Sequence, residues 1–190
     1  MIDANGWHLR ARHRHSPNAD ARPGGPHGTS IALIVIHNIS LPPGQFGGVA
    51  VEQLFTNRLK ADEHPSFAAI AQMRVSAHFF IPRNGKLVQF VSVNRRAWHA
   101  GVSRWRGRER CNDFSVGIEI EGTDERPYTA KQYARAARLT RALAQRYPSI
   151  QGIAGHADIA PGRKTDPGPA FDWDRLIAES GLPQRFRSLA

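Results

Sequence analysis

The sequence predicts one α/β domain: a single domain with a mixed central β-sheet flanked by helices. Three observations carry that reading. Residues 31–37, IALIVIH, form a β-branched, almost wholly apolar run of the kind needed by a strand covered on both faces. Residues 114–121, FSVGIEIE, alternate strictly. Phe114, Val116, Ile118 and Ile120 fall on one face, and Ser115, Gly117, Glu119 and Glu121 on the other. Residues 130–147 carry a helical stripe of Tyr133, Ala137, Thr140, Ala144 and Tyr147, flanked by Ala136 and Leu143. Thr129 and Gln132 supply a capping box at its start, and Pro148 stops it.

The remaining elements follow in chain order. Residues 16–30 are rich in Pro and Gly, so residues 1–30 are expected to form an irregular arm packed on the domain. The folded domain is expected over 31–181, with a tail at 182–190. After the first strand, NISLPPGQFGG cannot extend it, because its prolines and glycines force a loop. Residues 49–60 have weak helical spacing. Residues 76–92 read as a hairpin turning at Asn84-Gly85. A last helix is expected from near Asp172 to Gly181.

Composition narrows the class of function. The longest unbroken apolar run, Ile31 to Ile36, has six residues, against the roughly 18 needed for a membrane span. One cysteine, Cys111, excludes an internal disulfide framework, and the basic N-terminus lacks the apolar stretch of a secretory signal. The expectation is a cytoplasmic protein with no membrane partner. Of the 26 basic residues only four are Lys, and the formal charge is +10, which favours anionic partners. Arg104, Arg106, Arg108 and Arg110 would share one edge if their segment were extended, or form a solvated loop. No zinc-finger, homeodomain or RNP pattern is present, so no nucleic-acid partner is expected. No obligate protein partner is implied either.

Three positions interrupt structural patterns with metal-ligand chemistry. His37 ends the apolar strand; His156 and Asp166 share the segment GIAGHADIAPGRKTDPGP. Two imidazoles and a carboxylate suit a catalytic zinc with its fourth position open, although their spacing alone equally suits hydrogen-bonded structural residues. Glu119 sits on the polar face of a strand, a stiff mount for a general base or one half of a surface ion pair. Lys164 lies two residues before Asp166. If that stretch is extended, both point to one side, where a cation would stabilise a developing oxyanion.

Four longer stretches are more specific. They are HNISLPPGQFGG (37–48), RVSAHFFIPRNGKLVQFV (74–91), RAWHAGVSRWRGRERCNDFSVGIEIEGTD (96–124) and GHADIAPGRKTDPGPAFDW (155–173). Over residues 6–180 the chain resembles the AmpD family of 1,6-anhydro-N-acetylmuramoyl-L-alanine amidases, part of the zinc amidase and peptidoglycan-recognition superfamily. The segments 41–73 and 101–113 match that family's loop insertions, which favours it over the more minimal exported amidases. The resemblance implies a mixed sheet with one Zn²⁺ per chain in a groove, held by His37, His156 and Asp166. It implies Glu119 as general base, Lys164 as transition-state stabiliser, and Asn38, Arg74, Trp98 and Arg110 as substrate contacts. The implied reaction is hydrolysis of the amide joining anhydro-muramic acid to L-Ala of the stem peptide. Its setting is cytoplasmic cell-wall recycling, with an indirect effect on β-lactamase regulation.

Rival readings stay open at this level. A thiol amidase would use Cys111, its pKa depressed by the neighbouring arginines, with His99 or His78 as base. A non-catalytic muropeptide binder would need no complete metal set. A nucleic-acid binder rests on the charge alone.

Overall fold

The computed structural model describes residues 1–24 and 30–187. In chain order the strands and helices are β1 (Arg12–His13), β2 (Ala19–Ala21), β3 (Leu33–Ile39), α1 (Ala50–Phe55), β4 (Phe79–Ile81), β5 (Val88–Gln89), β6 (Arg95–Ala97), β7 (Arg104–Trp105), β8 (Arg108–Glu109), β9 (Ser115–Glu121), α2 (Ala130–Arg146), β10 (Gly152–Gly155), α3 (His156–Ile159) and α4 (Trp173–Ser180). Six strands make the central sheet in the order β1-β5-β4-β9-β3-β10. All neighbours are parallel except β4 and β5, so the sheet is mixed, as the sequence predicts.

β3 lies inside the sheet between β9 and β10, which explains its unbroken apolar sequence: Leu33 to Ile36 are fully buried on both faces. β9 is equally buried along its whole length. The sequence makes one of its faces polar, with Glu119 either a mounted base or half of a surface ion pair. That face is polar but covered, with Ser115 and Glu121 both buried. On the other face Val116, Ile118 and Ile120 pack with Ile34, Ile36 and Phe79 beneath α2 and α4.

The capping box of α2 forms as read: Thr129 Oγ1 accepts the Gln132 N–H, and Gln132 Oε1 accepts the Thr129 N–H. The buried stripe of α2 is shifted slightly from the expected one. Gln132 and Leu139 join it, while Ala144 and Tyr147 are only half-buried. α4 starts at the predicted cap, Asp172, and ends on Gly181 in the left-handed conformation.

Two expectations are corrected. The N-terminal arm is not wholly irregular, because β1 joins the main sheet beside β5 and β2 pairs with β6. These strands are two or three residues long, and pairing partners distant in sequence create them. The arm is also anchored by Arg22, a buried guanidinium donating to Val93 O, Asn112 O, Asp113 O and Ser115 O. Residues 25–29 of the arm and 188–190 of the tail lie outside the described residues. The arginine-rich segment is a tight hairpin, β7–β8, rather than one extended edge. Arg106 and Gly107 both have positive φ, the signature of a type I′ turn. Arg106 stacks on Trp105 and Arg108 on Phe114, so the guanidiniums diverge.

Among the described residues no helix is long and apolar enough to cross a membrane.

Candidate active site

The parallel strands β3, β9 and β10 end at one edge of the sheet, the place where α/β sheets put their ligand crevices. Register decides what meets there. His37 on β3 stands directly opposite Glu119 on β9, so their side chains share a face. Gly155 of β10 pairs with Ile36, which puts His156 at the start of α3, beside His37.

Asp166 arrives from the loop after α3. The Ala157 N–H donates to Asp166 O at 2.9 Å, and Asn38 Nδ2 and the Tyr128 hydroxyl both donate to Pro167 O. Gly168 has a φ of +78°, and a Cβ there would stand 2.2 Å from Asp124 Cα. Only glycine permits that approach of two backbones. The loop is a series of turns and not extended, with Lys164 N–H donating to Ala160 O. The sequence argument that alternation puts Lys164 beside Asp166 is therefore replaced by turn geometry. The two residues still line the same cavity.

Three ligand atoms converge. His37 Nδ1 is 3.0 Å from His156 Nδ1 and 3.0 Å from Asp166 Oδ2, and His156 Nδ1 is 3.2 Å from Asp166 Oδ2. Donors held tetrahedrally about a zinc at 2.0–2.1 Å stand about 3.3 Å apart, so the triangle has the right size. Proton bookkeeping agrees. His156 Nε2–H donates to Ala100 O, which leaves its Nδ1 as a lone pair in the neutral ring. Burial, then His156, lowers the pKa of His37 to about 4, so the His37 ring is neutral at physiological pH. Two imidazole lone pairs and a carboxylate oxygen aimed at one point repel unless a cation lies between them. The donor set fits a divalent metal.

Glu119 adjoins this triangle, buried, with Oε2 lacking a hydrogen-bond partner. Burial, then Asp166, raises its pKa well above the usual carboxylate range, and Lys164 partly opposes them. Burial pushes Asp166 up, but the facing side chains of His156 and His37 outweigh it and hold the carboxyl well below that range. One carboxylate is thus tuned to stay charged and the other to exchange protons.

A cavity of about 250 Å³ opens over these groups. His37, His99, Glu119, His156, Lys164 and Asp166 form its polar wall. Leu54, Phe55, Met73, Val75 and Trp98 form an apolar wall opposite. A wider hollow of about 680 Å³ adjoins it, sharing Asn38, Lys164 and Asp166 and adding Asp124 and Glu125.

Seven of the nine residues singled out in the sequence therefore line this crevice: His37, Asn38, Trp98, Glu119, His156, Lys164 and Asp166. Asn38 also braces the Asp166 loop, since its amide nitrogen donates to Asp124 Oδ1 as well as to Pro167 O. Arg74 is exposed beside the apolar wall, between the lining residues Met73 and Val75. Arg110 is exposed and lines a separate hollow with Val102, Ile159 and Arg163. The sequence offers His99 only as a base for the rival thiol mechanism; in the structure it touches His37 and lines the cavity.

Cys111 does not reach the crevice. It is buried among Ala100, Trp105, Phe114 and Ile159. Burial raises its thiol pKa in spite of Arg108, contrary to the depressed thiol that a nucleophile needs. The thiol-amidase alternative is set aside on this ground.

The N-acetylmuramoyl-L-alanine amidase family matches residues 27–169. The chain belongs to this family. A relative from Enterobacter cloacae, a 1,6-anhydro-N-acetylmuramyl-L-alanine amidase AmpD, is 55% identical over 179 residues, covering 94% of each chain. A crystal structure of a Se-Met AmpD derivative superposes with a TM-score of 0.90 at 53% identity, covering 94% of this chain and 98% of that one. A third similar structure is the Escherichia coli amidase AmiD in complex with the substrate anhydro-N-acetylmuramic acid-L-Ala-D-γ-Glu-L-Lys. It has a TM-score of 0.59 at 30% identity, covering 95% of this chain and 65% of that one. As a member of the amidase family the chain is a hydrolase of amide bonds, and its mixed α/β architecture is that of its relatives.

Proposed function

We propose that this amidase hydrolyses the amide between the lactyl group of (1,6-anhydro)-N-acetylmuramic acid and L-Ala of the stem peptide, with one Zn²⁺ per chain. The observation that carries the reading is the triangle of His37, His156 and Asp166 beside the unpartnered Oε2 of Glu119. The substrate class is supported by the activity named for the E. cloacae relative and by the ligand named for AmiD. The setting proposed is the cytoplasm, in cell-wall recycling and indirectly in β-lactamase regulation.

His37, His156 and Asp166 would hold the ion, which supplies Lewis acidity toward a carbonyl oxygen and toward water. Glu119 Oε2 takes a proton from the attacking water and passes it to the departing amide nitrogen. Its raised pKa brings it nearer the operating pH, where a general base is most effective. Lys164, which lines the same cavity, would set its ammonium against the negative charge that develops on the carbonyl oxygen. Trp98 and the apolar wall receive the uncharged part of the substrate, while Asn38 holds the loop that carries Asp166. Arg74 beside the apolar wall, and Arg110 in its separate hollow, would serve as fork-shaped partners for the carboxylates of the stem peptide.

The test uses purified protein with anhydro-muropeptide and with ordinary muropeptide, each with and without a zinc chelator. Chromatography is expected to show stem peptide released from the anhydro substrate, stopped by chelation and restored by added zinc. Release that ignores the chelator would remove the metal from the reading. A protein that binds either muropeptide and releases nothing would be the non-catalytic binder.

A further inference from the structure

We infer that His99 is a positioning residue: its Nδ1 accepts the Nε2–H of His37 and so holds His37 Nδ1, as a lone pair, at the point shared with His156 and Asp166. The inference rests on the metal reading above and extends it behind the ligands. The two nitrogens are 2.9 Å apart. The arrangement is consistent along its length. If His99 Nδ1 accepts, its proton lies on Nε2, and Ser115 Oγ stands 3.2 Å from that nitrogen as the acceptor. His99 has no lone pair left for the ion and faces the distal side of the His37 ring, so it is not a fourth ligand.

His99 is placed with some care by its surroundings. Asn112 Oδ1 accepts both the His99 N–H and the Ala100 N–H. Residue 99 thus orients one histidine ligand through its side chain, and residue 100 orients the other through its carbonyl, since Ala100 O accepts the Nε2–H of His156. One carboxamide oxygen therefore registers the backing of both rings. The His99 ring lies directly on Gly117 of β9, where a Cβ would stand 2.5 Å from its Cγ. Gly117 is the one residue of β9 without a side chain, and this ring occupies the space.

Removing such a partner from a metal-bound histidine typically weakens metal affinity about 10- to 100-fold, because the ring is freed to rotate and to change tautomer. The experiment measures zinc affinity by chelator competition for wild type, His99→Phe and His99→Gln. Cobalt-substituted absorption spectra and metal-free circular dichroism are recorded alongside. The expected result is a His99→Phe protein that keeps its metal-free fold, binds zinc roughly 10- to 100-fold more weakly and has an altered cobalt spectrum. His99→Gln, whose amide oxygen can accept the same proton, is expected to recover most of the affinity. Wild-type affinity in His99→Phe overturns the inference while leaving the metal reading intact. A wild type that takes up no zinc overturns both.

A second measurement needs no variant to fold. Nitrogen-15 imidazole spectra of the zinc-loaded wild-type protein are expected to show His99 protonated on Nε2. A proton on its Nδ1 would make acceptance from His37 impossible and would sink the proposal.

Discussion

The two faces of β9 are equally dry and chemically opposite. Toward α2 and α4 the strand presents Val116, Ile118 and Ile120, packed into a continuous apolar core. Toward the crevice it presents Ser115, Gly117, Glu119 and Glu121, all buried. Most of that polar face is satisfied. Glu121 Oε1 accepts the Gly47 N–H and Oε2 the Arg83 N–H, tying two loops to the sheet. Glu119 Oε2 has no hydrogen-bond partner among the described residues. The difference between two buried carboxylates on one strand separates a structural group from a reactive one. A buried carboxylate oxygen without a partner costs stability, so its presence calls for an explanation in function.

Substitutions can break this contrast at graded strengths. Asp166→Ala should act hardest, since it removes one of three converging ligand atoms. Elemental analysis is expected to find no stoichiometric zinc, with hydrolysis abolished; a full metal complement would remove Asp166 from the ligand set. Glu119→Gln keeps shape and metal but cannot take a proton. Turnover is expected to fall about 10²- to 10⁴-fold, with zinc content unchanged. Near-normal turnover in that variant would reassign the base.

Ile118→Ala tests the opposite face. It should cost about 2–5 kcal/mol in denaturant unfolding, with activity per folded molecule preserved. A selective loss of kcat in the folded variant would show that the two faces are not separable.

The mildest test is acid. Burial, then Arg22, lowers the pKa of His78 to about 3, and burial, then the N-terminal ammonium, lowers that of His8 to about 4. Both are bases whose folded pKa lies below the unfolded value of 6.5, so the unfolded chain binds more protons once the pH drops below 6.5. Their contribution is intact above that pH and is lost as pH falls toward 4 and then 3. Each adds a slope of up to about 1.4 kcal/mol per pH unit. Thermal unfolding of metal-free protein from pH 7 to 4 should show a falling Tm, and a flat profile would contradict the neutral, buried assignment.

What was legible in the sequence follows from which signals are local. β3, β9, α2 and α4 could be read because long apolar periods and caps such as Thr129 and Asp172 sit inside the elements themselves. β1 and β2 could not, because Arg12-His13 and Ala19-Asp20-Ala21 have no strand character of their own and take it from distant partners. The β7–β8 turn was hidden because it places Arg106 at a φ of 48°, a position that Asn or Gly usually marks. The ligand histidines could be singled out because each interrupts a structural pattern. The place of His99 behind His37 could not be read, because it depends on the missing side chain of Gly117 on β9. Lys164 reached the crevice by a route the alternation rule did not foresee, through turns anchored at Ala160.

The pairing of His37 with Glu119 has a last consequence. Side chains on a strand alternate, so a slip of β3 by one position would send His37 to the opposite layer and bring Ile36 or Asn38, according to the direction, opposite Glu119. The register of one strand pair thus fixes whether the imidazole and the carboxylate meet at all.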